Sequence, residues 1–461
     1  MVSLLGEMKH LAVIPPITED RLAAVFKAYD VRGLSPQEFD EPMARAIGAA
    51  FARYTRATSI VIGRDMRPSG EGLSAAFAEG VTSQGVDVID IGLASTDLLY
   101  FASGHLEMPA VMLTASHNPA SYNGIKFCNA GARAIGVETG LNQIRQFATQ
   151  QASSVGVRGQ TREVDLLDRF VEHVHSFVDV DMLQPLRVVA DTANGMGGHV
   201  VPPTFAGLPF QLEIIFEELD GTFPNHPADP IQPENLVDLQ RKVVEVKADV
   251  GLAFDGDADR VFLVDEAANP VSGSLTTALV ALAILEREGP GPILHNLICS
   301  RATVEAIQGA GGHPIRTRVG HSYIKALMAE TGAAFGGEHS GHYYFARNFG
   351  ADSGLIAALI VLERLSTFEG SLSSLLAPID RYANSGEVNA EVADPAFVIE
   401  KVSAYFADKP QDRLDGLTVD CGEWWFNLRP SNTEALLRLN VEAPDDQQVA
   451  DSVEEILALF R

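Results

Sequence analysis

AVMLTASHNP, from Ala110 to Pro119, joins an apolar run to a polar corner. Four apolar residues bounded by turn formers suit a buried strand. The chain then presents Ser116 and His117 and halts at Asn118-Pro119, a dipeptide that favours turns. Such a corner is a common mount for a reactive group, and equally a common place for an ordinary turn. What precedes it decides the fold. Helical spacing over PMARAIGAAFARYT (42–55) leads to the apolar run SIVIG (59–63), and helical spacing over LSAAFAEGVTSQG (73–85) leads to VDVIDIG (86–92). Helix and strand alternate, which predicts an α/β layer with a mostly parallel sheet.

The polar stretch QFATQQASSVGVRGQ (146–160) marks a candidate boundary, after which the pattern restarts. LLDRFVEHVHSFV (166–178) is helical, LRVVADTANG (186–195) reads as strand then turn, and ADVGLAFDGDADR (248–260) as strand then acidic loop. A second restart brings a helix over 274–288, the strand ILHNLIC (293–299), a helix after Ser300, a helix over 321–330 and a Gly-rich loop at 336–341. No repeat shows in the letters themselves. From about residue 375 the texture changes: PAFVIEKVSAYFAD is a helix, WWFNLRPSNTEALLRLNVEA two strands around a polar turn, and DQQVADSVEEILALF a closing helix. This predicts a smaller α+β domain.

A chain of 461 residues is too long for one core, because single cores stop growing at about 250–300 residues. A net charge of −27 opposes non-specific binding to nucleic acid or to an anionic membrane. A small anionic substrate remains compatible with it, given a local cluster of Arg and Lys. Cys128, Cys299 and Cys421 are sparse and far apart, which fits buried hydrophobes in a reducing cytosol and not a disulfide framework. MVSLLGEMKHLAV does not read as a signal peptide, and the apolar stretches 275–285 and 355–362 are too short to span a bilayer. A cytoplasmic location is expected.

Asp255, Asp257 and Asp259 alternate after the strand VGLAF. An extended loop would point all three the same way, and hard oxygen ligands suit Mg²⁺. A calcium loop is the competing reading, since Glu266 stands at the right distance. However, Arg260 occupies the position that such a loop reserves for Gly, and VFLV follows as a strand. Ser116 alone reads as a cap and His117 alone as a surface imidazole. Paired with the acidic loop they mean more. A phosphoserine carries about −1.5 to −2 charges and three acceptor oxygens, enough to complete the coordination of a metal held by three Asp. The two loops together support phosphoryl transfer through a phosphoserine. Arg429, Ser431, Asn432 and Thr433 form a tight turn able to hold an anion, or a plain hairpin connection. Arg32, Arg64, Arg67, Lys126, Arg316 and Arg318 lie near turns and are individually weak signals. GEHSGH combines glycines with Glu338, Ser340, His339 and His342; a carboxylate there could accept two neighbouring sugar hydroxyls, or the stretch is a flexible Gly-rich loop with incidental polar residues, and His321 could serve as a general acid or base.

TASHNP, DGDADR, GEHSGH and RPSNTEALLR, in this order and at these intervals, resemble the α-D-phosphohexomutase superfamily, in its bacterial phosphomannomutase/phosphoglucomutase branch. The similarity covers essentially the whole chain, including FKAYDVRG near its start. It implies three related α/β domains with mixed sheets and a C-terminal α+β domain around a central active-site cleft. The expected bounds are 1–157, 158–268, 269–373 and 374–461. It implies a phosphoserine at Ser116, and Mg²⁺ held by Asp255, Asp257 and Asp259 together with that phosphoserine. Arg260 would steady the metal, and Glu338 and Ser340 would grip sugar hydroxyls, near His342. Arg429, Ser431, Asn432 and Thr433 would bind the non-reacting phosphate. Arg32, His117, Lys126 and His321 would stand near the reacting phosphate or sugar. The implied activity interconverts mannose or glucose 1-phosphate and 6-phosphate through a hexose 1,6-bisphosphate, which also serves as activator, in a monomer or homodimer. A phosphatase and a catalytically silent sugar-phosphate binder are the competing classes. One departure stands out. Relatives commonly carry a Lys where this chain has Ile298, and Arg301, Arg318 or His321 are the candidates to cover its loss.

Overall fold

The computed structural model describes residues 13–430 and 436–460. The chain forms two compact units. Among the described residues, the first comprises those up to Val171 with Ala193–Pro203 and Phe216–Ala228; the second comprises Glu172–Thr192, Thr204–Ile215 and those from Asp229 onward.

In the first unit, helices start where the sequence supplies caps. Asp40 accepts the amide of Met43 at the head of Glu41–Thr55, and Ser95 that of Leu98 at the head of Thr96–Leu106. The main sheet runs in the order Val31–Leu34, Tyr122–Asn129, Ala110–Leu113, Ser59–Arg64, Asp87–Leu93, Thr161–Glu163. Its last four strands are parallel, and the first two pairings are antiparallel. The sheet is therefore mixed, and the cause is the Ser116 corner. A short loop can only fold the chain back on itself, whereas a parallel partner needs a crossover of a dozen residues or more. Helices Glu41–Thr55 and Gly70–Ser83 cover the sheet over a core that includes Phe39, Phe51, Phe77 and Phe127.

The second unit contains two five-stranded sheets. One runs Gln211–Ile215, Arg187–Asp191, Val250–Phe254, Val261–Asp265, Pro270–Val271. The other runs His313–Thr317, Pro292–Asn296, Phe335–Gly337, Tyr343–Phe345, Ala351–Asp352. In both, three parallel strands are followed by two antiparallel ones. All three α/β sheets thus share one plan, a duplication that the letters do not display. The loop between the third parallel strand and its antiparallel neighbour is residues 114–121 in the first, 255–260 in the second and 338–342 in the third. Each contains a residue with left-handed backbone: Ser116 (φ 50°), Ala258 (58°) and Gly341 (84°).

The chain ends in an antiparallel sheet, Ala383–Asn384, Leu436–Ala443, Trp425–Pro430, Leu417–Asp420, Gln411–Asp412, with helices Pro395–Tyr405 and Asp446–Ala458 packed on Phe426, Leu439 and Val441. This is the expected α+β domain. Two expectations need correction. The strand read over 293–299 ends at Asn296, where the Cys299 amide bonds to the Asn296 carbonyl in a turn. Gly336 and Gly337 are not loop but strand, and their role is spacing: a Cβ on Gly337 would stand 2.4 Å from Thr277. Among the described residues no helix is long and apolar enough to cross a membrane.

Candidate active site

In the first unit, Ser116 sits at the corner after Ala110–Leu113, largely buried. Its amide donates to Thr114 Oγ1 (2.9 Å), and its Oγ stands 3.3 Å from His117 Nδ1. The Asn118 amide closes the turn onto the Ala115 carbonyl. Arg32 reaches the same loop: its Nη1 donates to Asn118 Oδ1 (2.5 Å), while Nε and Nη2 pair with Asp30. Lys126 lies half-buried on the antiparallel neighbour, in register with Met112. Ser116, His117 and Arg32 therefore form one group, and Lys126 stands on the adjoining strand. Arg67, noted in the sequence only among several basic residues near turns, is fully buried under this loop.

In the second unit, Asp255, Asp257 and Asp259 are buried, with ligand atoms within 4.8 Å of one another. The loop that carries them is not extended, as the alternation suggested. It is a turn, closed by the Ala258 amide on the Asp255 carbonyl, with Ala258 left-handed. It joins two antiparallel strands, so no helix–loop–helix frame surrounds it. Glu266 is bound instead by the amide and hydroxyl of Ser373. Arg260 donates from Nε to Asp255 Oδ2 (2.8 Å), and its Nη1 faces Asp229 at 3.8 Å. Burial works to lower the Arg260 pKa, but Asp255, Asp229 and Asp259 outweigh it and hold the guanidinium above its ordinary value. Three clustered carboxylates fit a hard, oxygen-preferring divalent cation.

The sugar-loop candidates gather beside this cluster. Arg260 and His342 form an isolated backbone bridge between the two loops. His342 Nε2 lies 3.8 Å from Asp259 and 4.0 Å from Asp352, and its Nδ1 lies 3.1 Å from Ser340 Oγ and 3.7 Å from Glu338. Glu338 is buried and well bound: Oε1 accepts the Gly320 amide (3.1 Å) and Asn296 Nδ2 (3.5 Å), and Oε2 accepts the Tyr344 hydroxyl (2.7 Å). Lys325 pairs with Asp352 at 2.8 Å. Asn296, Tyr344, Lys325 and Asp352 are functional candidates that the sequence reading missed. Arg429 is buried and donates to Glu387 (2.8 Å), which also pairs with Arg438 at 3.2 Å. Desolvation lowers the Arg429 pKa, and the adjacent Arg438 adds to that. Burial, and then Arg429, pull the His339 pKa down to about 4. Ser431, Asn432 and Thr433 lie outside the described residues. His321 opens the helix His321–Thr331.

Ile298, where relatives commonly carry a lysine, is buried, and the two arginines named as candidates to cover its loss each have partners. Arg301 is tied to the Gly422 carbonyl (2.6 Å) and to Asp420 (2.7 Å). Arg318 stacks on the Tyr323 ring at 4.3 Å.

Comparison with known proteins gives the family of the chain. Phosphoglucomutase/phosphomannomutase domains match in order: α/β/α domain I over residues 23–154, α/β/α domain II over 168–269, α/β/α domain III over 272–382, and the C-terminal domain over 387–459. A phosphomannomutase of Salmonella montevideo is 40% identical over 451 residues, 94% of this chain and 98% of that protein. A protein of Xanthomonas campestris pv. campestris named for phosphohexose mutases is 39% identical over 443 residues, 95% of this chain and 99% of its own. The crystal structure of a phosphoglucomutase/phosphomannomutase family protein from Burkholderia thailandensis has a TM-score of 0.85 at 31% identity, covering 96% of this chain and 97% of that one. Matched domain by domain, and by relatives along nearly its full length, the chain belongs to the phosphoglucomutase/phosphomannomutase family of phosphohexomutase enzymes.

Proposed function

We propose that the chain moves a phosphoryl group between the 1- and 6-oxygens of a hexose, with mannose phosphate preferred and glucose phosphate accepted. The observation that carries the reading is a corner serine with an adjacent imidazole, in a chain that also buries three clustered aspartates. Ser116, phosphorylated in its active form, donates to the free hydroxyl of a hexose monophosphate. The phosphorus–Oγ bond breaks as a bond to the sugar oxygen forms. The hydroxyl proton leaves to a base, and Oγ regains a proton; His117 is the candidate donor, 3.3 Å from Oγ. The resulting hexose 1,6-bisphosphate turns over and returns its other phosphoryl group to Ser116.

Asp255, Asp257 and Asp259 would hold a divalent cation of the Mg²⁺ class, which offsets charge on the transferring group. Arg260 orients Asp255. Glu338 and Ser340 would take sugar hydroxyls, with His342 beside them. Arg429, with Ser431, Asn432 and Thr433, would hold the other phosphate, and Arg32, Lys126 and His321 complete the cationic and proton-transfer set. If Glu338 holds the 3- and 4-hydroxyls it contacts nothing at C2, where mannose and glucose differ, so both sugars should turn over.

³¹P NMR with mannose 1-phosphate, Mg²⁺ and a trace of hexose 1,6-bisphosphate tests this, beside a parallel sample with glucose 1-phosphate. Appearance of the 6-phosphates supports the mutase, and the ratio of rates gives the sugar preference. Release of inorganic phosphate at the rate of sugar consumption would replace it with a phosphatase. Binding with no product would make the chain a sugar-phosphate binder.

A further inference from the structure

The Ser116 corner is irregular backbone, yet its carbonyls converge on one side chain. Arg67 Nη2 donates to the carbonyls of Ser116 (2.7 Å) and Asn118 (2.6 Å). Its Nη1 donates to those of Pro119 (2.7 Å) and Tyr122 (3.0 Å), and its Nε to Asp65 Oδ2 (3.2 Å). These bonds engage all the N–H groups that a guanidinium has. Asp65 in turn accepts the Arg67 amide (3.0 Å), and both side chains are wholly buried. A turn from later in the chain covers them. The Phe223 ring lies 5.2 Å from the guanidinium carbon, and a Cβ on Gly221 would come within 2.6 Å of Arg67 Cα and 2.8 Å of the Met66 carbonyl.

Ser116 needs such support. Its φ of 50° lies where an L-residue is disfavoured, by about 1–2 kcal/mol. Conformations of that kind persist when their surroundings over-determine them. Fixing the carbonyls of Ser116 and Asn118 on one nitrogen fixes the peptide planes that follow the serine, and so the direction of its Cα–Cβ bond. Charge-assisted bonds in a dry site are stiff, and a lysine, with donors on a single nitrogen, cannot span four separate carbonyls.

Resting on the reading of Ser116 as the phosphoryl carrier, we propose that Arg67 is the positioning residue for that transfer: it holds the serine's backbone in its left-handed geometry without touching the reacting atoms, under a cover formed by Gly221 and Phe223. With four donors engaged by backbone carbonyls and the fifth by Asp65, it acts through the backbone and not as a phosphate ligand.

The test compares wild type with Arg67→Lys, Arg67→Ala and Phe223→Leu, in full-length protein phosphorylated at Ser116. In Arg67→Lys, kcat should fall about a hundredfold, the scale expected of a 1 Å misplacement, with KM for the sugar phosphate and the Mg²⁺ titration changed less than threefold. Methylguanidine should restore at least about tenfold of the activity lost in Arg67→Ala and none of that lost in Arg67→Lys. Should Arg67→Ala not fold, the proposal stands or falls on Arg67→Lys and on Phe223→Leu, which should show the same kcat loss in weaker form. Wild-type kcat in a folded Arg67→Lys overturns it. So does a parallel loss of kcat, KM and thermal midpoint that methylguanidine leaves unchanged. Wild type that carries phosphate on Ser116 and turns over leaves the underlying reading intact in either case; wild type that does neither removes both.

Discussion

Ser116 and Asp257 invite the simplest tests because each is one atom group away from its proposed inactive form. Ser116→Ala keeps the corner and removes the proposed nucleophile, so turnover of sugar phosphate should drop at least about a thousandfold, while circular dichroism stays as in wild type. Asp257→Asn keeps the shape of the acidic turn and removes a charge. The Mg²⁺ concentration for half-maximal activity should rise by about 10- to 100-fold, read directly by calorimetric metal titration. Candidates like these were legible because their chemistry is contiguous: three alternating carboxylates, or a serine and a histidine between a strand and an Asn-Pro. Tyr344, Asp352, Lys325 and Asn296 were not. Tyr344 and Asp352 meet only because their strands pair in that register, and Asn296 and Lys325 arrive from a separate strand and a separate helix.

Elements tell a similar story with different causes. Helices Glu41–Thr55 and Gly70–Ser83 cross where neither has a side chain. A Cβ on Gly48 would stand 2.2 Å from the Phe77 carbonyl, and one on Gly80 would stand 2.1 Å from the Arg45 carbonyl. Backbone cannot yield as a flexible side chain can. Gly80→Ala should therefore destabilise by about 1–3 kcal/mol despite its better helix propensity, seen as a lower urea midpoint with an unchanged slope. The amphipathic and capped helices were readable from the letters. Helix Thr96–Leu106 was not, because it is buried over most of its length and so lacks a polar face to create a period. Strand Tyr122–Asn129 was missed for a complementary reason. Its Gly124 is poor strand sequence, and it is a strand because the register holds it, with a would-be Cβ 2.1 Å from the Val31 carbonyl.

For the molecule as a whole, acid should be more damaging than the carboxylate count suggests. Burial pulls the pKa of His295 down to about 4, with Arg316 adding to the shift, and His339 behaves likewise. An imidazole with a depressed folded pKa binds more protons when unfolded, so stability is lost as pH falls from about 6.5 toward 4. The loss should reach about 2–3 kcal/mol for each histidine. Urea midpoints should already decline between pH 6.5 and 5, before most carboxylates protonate, and His295→Gln should flatten that part of the profile. The four-domain order was legible because the motifs fall in family sequence; the shared strand plan of the three α/β sheets was not, because it resides in pairing and not in letters. The Arg67 contacts lead to a last point, about engineering. TASHNP is not a portable motif. Its shape is stored in an arginine 49 residues before the serine and in a turn that closes over that arginine. A hexapeptide grafted into a foreign scaffold would bring the serine and leave its geometry behind. The arginine grips that corner through backbone carbonyls, its fifth N–H going to Asp65, so what holds the corner is not written in the corner's own side chains.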